Sequence, residues 1–274
     1  MPTCYIVGAG DFTPRGFAPV PGDLVLAADG GYRALYSLGY TPDLLLGDFD
    51  SLGDLPLPPD LPVLRFPARK DDTDTGLALR HGLDRGFRDF ALYGCAGGRV
   101  DHLLANLQSM ARVSRLGATI RLAAPEYDAW ALTGPAPDAS ASDASAPDAS
   151  GPAPHAPHTP APSTSAPDAP APSTSAPSTP APDASEPDAS GPAPHAPDGP
   201  AATLTLPDRP GGTLVSVFCH GDRAEGVTLT GLSYPLDGAD LTGDFPLGVS
   251  NRRLEGQPAT VSVRRGTLLI FQGA

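Results

Sequence analysis

The sequence predicts an α/β N-terminal domain built on a mainly parallel sheet and an all-β C-terminal sandwich domain, interrupted by a long, disordered Pro/Ala/Ser-rich insertion. Three observations carry this expectation. From Tyr5 to about Ala124, short apolar runs alternate with longer stretches of helical spacing, the pattern of βα units around a parallel sheet. From residue 202 onward, short strand-like runs are separated by glycine-containing turns. Between them, residues 134–201 are almost wholly Pro, Ala, Ser, Thr, Asp and Gly, with no aromatic or large aliphatic side chain to bury. The expected domains are therefore 1–124, then 125–133 together with 202–274, with 134–201 as the insertion.

In the first domain the strand candidates are 5–7, 24–28, 44–46, 63–66, 90–93 and 119–123, each ending near Gly, Asp or Pro. Helices are expected over 31–38, 74–85 and 101–116. In the last of these, Leu103, Leu107, Met110 and Ser114 fall at helical spacing and Leu104, Ala111 and Arg115 trace the adjacent stripe, so it is expected to pack on the sheet. The insertion repeats PDASGPAPHAP at 147–157 and 187–197, and PAPSTSAP at 160–167 and 170–177. Repeats without an apolar face do not build a solenoid, and an extended, partly polyproline tether is the reading. Beyond it, strands are expected over 203–206, 214–218, 227–229, 231–236, 260–263 and 268–271. At about 70 residues this module is small for an independent sandwich. It is therefore expected to recruit 127–132 as a further strand, with the insertion as an overgrown hairpin loop.

Charge and cysteine content exclude several function classes. The chain carries a formal charge of −13, but eight of its acids, Asp138 to Asp198, lie in the insertion, which holds no Lys or Arg; without them the charge is −5. No basic patch argues for nucleic acid. Cys4, Cys95 and Cys219 are far apart without metal-ligand spacing, so neither a disulfide framework nor a zinc site is expected. The N-terminus has no basic start or cleavage site, and no apolar run approaches the roughly 18 residues that span a bilayer. A cytoplasmic protein, not bound to membrane, is the expectation.

Three acidic clusters follow apolar runs: Gly47-Asp48-Phe49-Asp50-Ser51, Lys70-Asp71-Asp72-Thr73-Asp74, and Gly97-Gly98-Arg99-Val100-Asp101-His102. Carboxylates beside glycine turns and a lone arginine suit Mg²⁺ held against a nucleotide polyphosphate. In open parallel sheets ligands bind beyond the carboxyl ends of the strands, and Asp29, Asp48, Asp50 and Gly94–Gly98 all follow strands there. Asp48 and Asp50 are two apart, so in extended backbone both carboxylates point one way and can share a hard cation; a solvated turn is the competing reading. Asp72, Thr73 and Asp74 begin a helix, where one side chain suffices as a cap and the rest crowd like charge that a cation relieves. Lys70, the chain's single lysine, stands beside them as a phosphate contact or a surface counter-charge. The turn at Gly97 and Gly98 lacks a Walker lysine, yet its N–H groups and Arg99 suit phosphate oxygens at a helix start. Gly8-Ala9-Gly10 has Thr13 where a dinucleotide fingerprint wants glycine, and a tight turn suffices there.

In this order, Asp29-Gly30-Gly31, Pro42 to Ser51, Asp72-Thr73-Asp74 and Gly97 to His102, followed beyond the insertion by Gly231-Leu232-Ser233-Tyr234-Pro235-Leu236 and Gly248-Val249-Ser250-Asn251, resemble the thiamine pyrophosphokinase family. The likeness covers nearly the whole chain outside 134–201. It implies transfer of the pyrophosphoryl group of ATP, the co-substrate, to the hydroxyethyl group of thiamine, with Mg²⁺. It also implies a homodimer whose active sites lie at the subunit interface. By motif match, Asp48, Asp50 and Asp74, helped by Asp72, would hold Mg²⁺ with ATP, Thr73, Arg99 and Asp101 would line the reaction site, and Asp29 would sit nearby. Tyr234 would stack on thiamine beside Ser250 and Asn251. The base among Asp101, Asp74 and Asp50 stays unassigned. The alternatives are a pterin pyrophosphokinase with a related catalytic domain and a non-catalytic nucleotide- or thiamine-binding module.

Overall fold

The computed structural model describes residues 1–49, 55–66, 73–135 and 200–274; Asp50, Lys70, Asp72 and the insertion from 136 to 199 lie outside the described residues. The first part of the chain forms β1 (Thr3–Val7), β2 (Leu24–Ala28), α1 (Gly31–Ser37), β3 (Leu44–Gly47), β4 (Val63–Arg65), α2 (Asp74–Asp84), β5 (Asp89–Tyr93), α3 (Val100–Arg115) and β6 (Thr119–Ala123). Strands 24–28 and 119–123 have the expected bounds, and the helices differ from expectation by a residue at an end. All five residues of β2 are buried, because helices cover both faces of the sheet. Alternation along the strands feeds two cores. Ile6, Leu26, Leu46 and Leu92 lie in the layer that includes Ala78, Leu79, Leu107 and Met110 of α2 and α3. Val7, Val25, Leu45 and Tyr93 pack with Tyr32 and Leu35 of α1. Leu104 of the expected α3 stripe faces solvent at 56% exposure.

The remaining strands are β7 (Tyr127–Thr133), β8 (Ala202–Thr205), β9 (Leu214–Cys219), β10 (Arg223–Thr230), β11 (Leu236–Thr242), β12 (Gly248–Arg252), β13 (Thr260–Val263) and β14 (Thr267–Gly273). Among the described residues, one sheet of ten strands runs β12-β9-β14-β7-β6-β5-β1-β2-β3-β4, and a second runs β11-β10-β13-β8. The β4-to-β6 part is parallel, whereas β6–β7, β7–β14, β14–β9 and β9–β12 are antiparallel. The sandwich forms where the antiparallel half of the large sheet faces the four-stranded sheet. Its core joins Trp130, Val215, Val217 and Ile270 to Val227, Leu229, Val261 and Val263. The expected boundary at 124/125 thus falls between two paired strands.

Three expectations are corrected. No strand covers 231–235: Gly231, at φ +67° with its Cα against the Pro258 carbonyl, ends β10, and the next strand starts at Leu236. Strand β12 has no counterpart in the sequence reading, since Gly248-Val249-Ser250-Asn251 lacks apolar alternation and the edge position needs only one buried face. The insertion does not close a hairpin, because β7 and β8 belong to different sheets. No described helix is long and apolar enough to cross a membrane.

Candidate active site

Strand order reverses between β1 and β5, since β2 and β3 extend the sheet from β1 one way and β5 and β6 the other. The crevice beyond the carboxyl ends at such a switch point is where open α/β sheets bind ligands. Here the turn after β1 lies along the turn after β5: Gly8 N–H donates to the Tyr93 carbonyl (2.8 Å), Gly10 N–H to Gly94 (2.7 Å) and Asp11 N–H to Ala96 (2.8 Å). The two turns, with Thr75, Arg99, His102 and Asn106, line a cleft of about 200 Å³. Gly97 has φ +82°, and a Cβ there would sit 1.9 Å from an Asp11 carboxylate oxygen. A larger cavity of about 410 Å³ between α2 and α3 contains none of the motif residues.

Sequence reasoning missed the floor of this cleft. Buried Asn106 on α3 donates its Nδ2 to the Cys95 carbonyl at 2.8 Å, and Thr75 Oγ1 lies 3.9 Å from Cys95 Sγ. Cys95 therefore ties β5, α2 and α3 together under the glycine turn, and burial pushes its thiol pKa up to about 11. The signals were present: Asn106 is a polar residue on the buried stripe of α3, and the glycines of Gly8-Ala9-Gly10 mark a close backbone approach rather than a turn alone.

Asp48 follows β3, and Asp74 opens α2, which packs against β2 and β3. Thr73 is the N-cap, its Oγ1 accepting from Gly76 N–H at 3.0 Å, so its hydroxyl performs the structural role. Asp29 sits at the end of β2 in a left-handed conformation (φ +47°), which short polar side chains tolerate. Among the described residues no group of three or more His, Cys, Asp or Glu is close enough to hold a metal. The donor chemistry nonetheless fits Mg²⁺ carried by a polyphosphate, which needs one or two carboxylates and takes its other oxygens from phosphate and water. Asp48, just past β3, and Asp74, at the start of α2, are carboxylates of that kind.

Arg99 is the N-cap residue of α3 and reaches over its first turn, with Nε 3.1 Å from Asp101 Oδ1 and Nη2 2.5 Å from Oδ2. Both side chains are exposed. The Arg99 hydrogen bond holds the Asp101 carboxyl below its ordinary pKa and raises that of the guanidinium. Backbone N–H groups at the start of a 16-residue helix lie beside them, a favourable place for an anion.

The C-terminal motif residues sit elsewhere. Tyr234 is 71% exposed on the loop before β11. Asn251 is 3% exposed and spends its amide on backbone. Its Oδ1 accepts from Tyr234 N–H and Arg252 N–H, each at 2.9 Å, and its Nδ2 donates to the Tyr234 carbonyl at 2.6 Å. Ser250 stands on the edge strand at φ +60°, its N–H donating to Ser216 Oγ at 3.1 Å, with its side chain exposed. Strand β12 is eight places from β3 in the large sheet. At about 4.8 Å per strand, roughly 38 Å of sheet separates Ser250 from Asp48.

A family model described as "Thiamin pyrophosphokinase, catalytic domain" matches residues 21–122, and one described as "Thiamin pyrophosphokinase, vitamin B1 binding domain" matches residues 202–268. The chain is 33% identical over 103 residues to "Thiamine pyrophosphokinase" of Bacillus subtilis (strain 168); the match spans 36% of this chain and about half, 48%, of that protein. Among solved structures, the Bacillus subtilis thiamine pyrophosphokinase superposes with a TM-score of 0.67 at 19% identity, covering 99% of each chain. The Geobacillus thermodenitrificans protein gives 0.64 at 19% identity (99% and 97%), and that of Candida albicans 0.59 at 10% (99% and 90%). These superpositions show a shared fold.

Proposed function

Because the chain belongs to the thiamine pyrophosphokinase family, we propose that it transfers the pyrophosphoryl group of ATP to the hydroxyethyl oxygen of thiamine, giving thiamine diphosphate and AMP. The observation that carries this reading is the glycine cleft at the switch point, walled by two backbone turns, lined by Arg99 and opened onto by the start of α3, where Asp101 stands. Its N–H groups cradle phosphate oxygens that carry the charge of the transition state. Asp48 and Asp74, with Asp50 and Asp72, would hold Mg²⁺, which supplies charge neutralisation on the polyphosphate. Arg99 pairs with Asp101. A polyphosphate draws the guanidinium to itself by a bidentate contact, and this releases Asp101, whose carboxyl pKa then returns toward the ordinary value. Freed in this way, Asp101 can accept the proton of the attacking alcohol.

The separation of Ser250, on β12, from the carboxylates after β3 along one sheet supports a site shared by two copies of the chain, with Tyr234 held beside β12 by Asn251. A small acceptor held at β12 does not reach across eight strands to the cleft of its own chain, so a second subunit brings the two halves together. An exposed apolar set on and around β12, with Phe245, Leu247 and Val249, suits burial against that copy. Cytoplasmic location is part of the same reading.

Product analysis with ATP and thiamine tests the reaction. Thiamine diphosphate with AMP is expected; thiamine monophosphate with ADP, or no turnover, overturns it, and consumption of a hydroxymethyl pterin in place of thiamine selects the pterin enzyme. For the shared site, Asp74→Asn and Tyr234→Ala are each expected to be inactive, and refolding them together restores turnover; no recovery in demonstrated mixed dimers refutes it.

A further inference from the structure

Farther along the same carboxyl edge of the sheet, and not among the residues that line the glycine cleft, three arginines from three separate segments converge on one buried carboxylate. Asp128, the second residue of β7, is 1% exposed. Arg15 of the β1–β2 connection reaches its Oδ2 at 2.5 Å, Arg209 of the β8–β9 connection reaches the same oxygen at 3.2 Å, and Arg121 of β6 approaches Oδ1 at 3.5 Å. One carboxylate balances one guanidinium. Two positive charges therefore remain, crowded in a chain that is acidic overall, and like charges at this spacing destabilise each other unless an anion relieves them.

The donors are also in excess. Each guanidinium carries five N–H groups. Beyond Asp128, Arg15 donates to the Ala124 carbonyl (2.8 Å), Arg209 to the Asp208 carbonyl (3.1 Å), and Arg121 to Tyr93 Oη and the Arg15 carbonyl (both 3.4 Å). The Nε of Arg209 is buried with no hydrogen-bond partner, and that of Arg121 has only its 3.5 Å approach to Asp128 Oδ1. The three side chains are 31%, 30% and 23% exposed, so the remaining forks open to solvent. The nearby Asp208 carboxylate is engaged by Arg253 at 3.1 Å, and Glu126 makes no ion pair with the cluster among the described residues.

The geometry points to a second anion site, formed by Arg15, Arg121 and Arg209 over Asp128, that takes the dianionic phosphate group of a small molecule or free phosphate. A dianion closes the charge balance, and planar forks suit its oxygens. The site is distinct from the glycine cleft, although Tyr93, which contacts Arg121, immediately precedes the Gly94 turn.

Thermal unfolding of the full chain, titrated with inorganic phosphate at constant ionic strength against chloride, tests this. A saturable rise of about 3–6 °C at ten times the half-saturating concentration is expected. That rise is lost in Arg121→Gln and in Arg209→Gln and kept in Arg99→Gln. A parallel titration with AMP identifies the source: a lower half-saturation that is also lost in Arg121→Gln assigns the phosphate to a nucleotide product rather than to free phosphate. Loss in Arg99→Gln alone places binding in the glycine cleft and overturns the proposal, as does no saturable rise. Should both arginine variants fail to fold, hydrogen exchange on the unmodified chain decides. Phosphate protection of residues 13–17 and 207–211 supports the site, and unchanged exchange there refutes it.

Discussion

Asn251→Ala separates two roles that one asparagine can play in the acceptor pocket. The family resemblance makes Asn251 a thiamine contact, whereas its buried amide makes three hydrogen bonds to backbone, two of them to Tyr234. At a net value of about 1 kcal/mol for each bond, discounted because the Tyr234 loop is partly solvated, alanine costs about 2–3 kcal/mol. For a folded part of this size that is a fall in Tm of about 4–12 °C. Since Tyr234 is held through its peptide, the aromatic ring loses its fixed position, and KM for thiamine rises while KM for ATP changes little. Differential scanning calorimetry and steady-state kinetics read both numbers. A variant that melts within about 1 °C of the parent while KM for thiamine rises tenfold would refute the clamp and return Asn251 to direct contact.

Gly97→Ala is expected to weaken ATP use, because its Cβ meets the Asp11 carboxylate and its φ is left-handed; adding Asp11→Gly relieves the clash and leaves a backbone cost of about 1–2 kcal/mol, read from the recovery of KM for ATP. The Arg99 hydrogen bond lowers the Asp101 pKa from its ordinary 3.8. The pair's contribution is therefore present above that value and lost as pH falls through the depressed one, so acid unfolding of Asp101→Asn and the parent should converge there and differ at neutral pH. Burial pushes the thiols of Cys4 and Cys95 up to about 12 and about 11. At pH 8 a disulfide reagent should titrate Cys219 first in the native chain and all three thiols only after unfolding. Deleting residues 136–200 and joining the ends should leave turnover largely intact; loss of both folding and turnover would show that the segment packs.

Much of the parallel half was legible because its signals are local. Apolar runs of strand length, Thr73 at a helix start and glycines after strands each report a requirement met within a few residues, and all the described strands and helices of this half were anticipated within two residues at each end. The antiparallel half was less legible. Strand β12 and the loop at 231–235 depend on partners far along the chain: Asn251 holding Tyr234, and Gly231 against Pro258. An edge strand with one buried face also leaves a weak pattern in the residues themselves.

The sequence by itself determined that carboxylates, glycine turns and an arginine would gather beyond parallel strands, because strand polarity sends every such turn to one edge. Only the tertiary structure decided which of those groups meet and which are already spent. It laid Gly8–Asp11 against Gly94–Ala96, hung the turn from Asn106, and committed Thr73 to a cap and Asn251 to a clamp. It also carried one sheet through both halves of the fold, which sets Ser250 and Asp48 eight strands apart. Pairing between distant strands and the satisfaction of buried polar groups are properties of the packed whole, and no spacing along the chain encodes them.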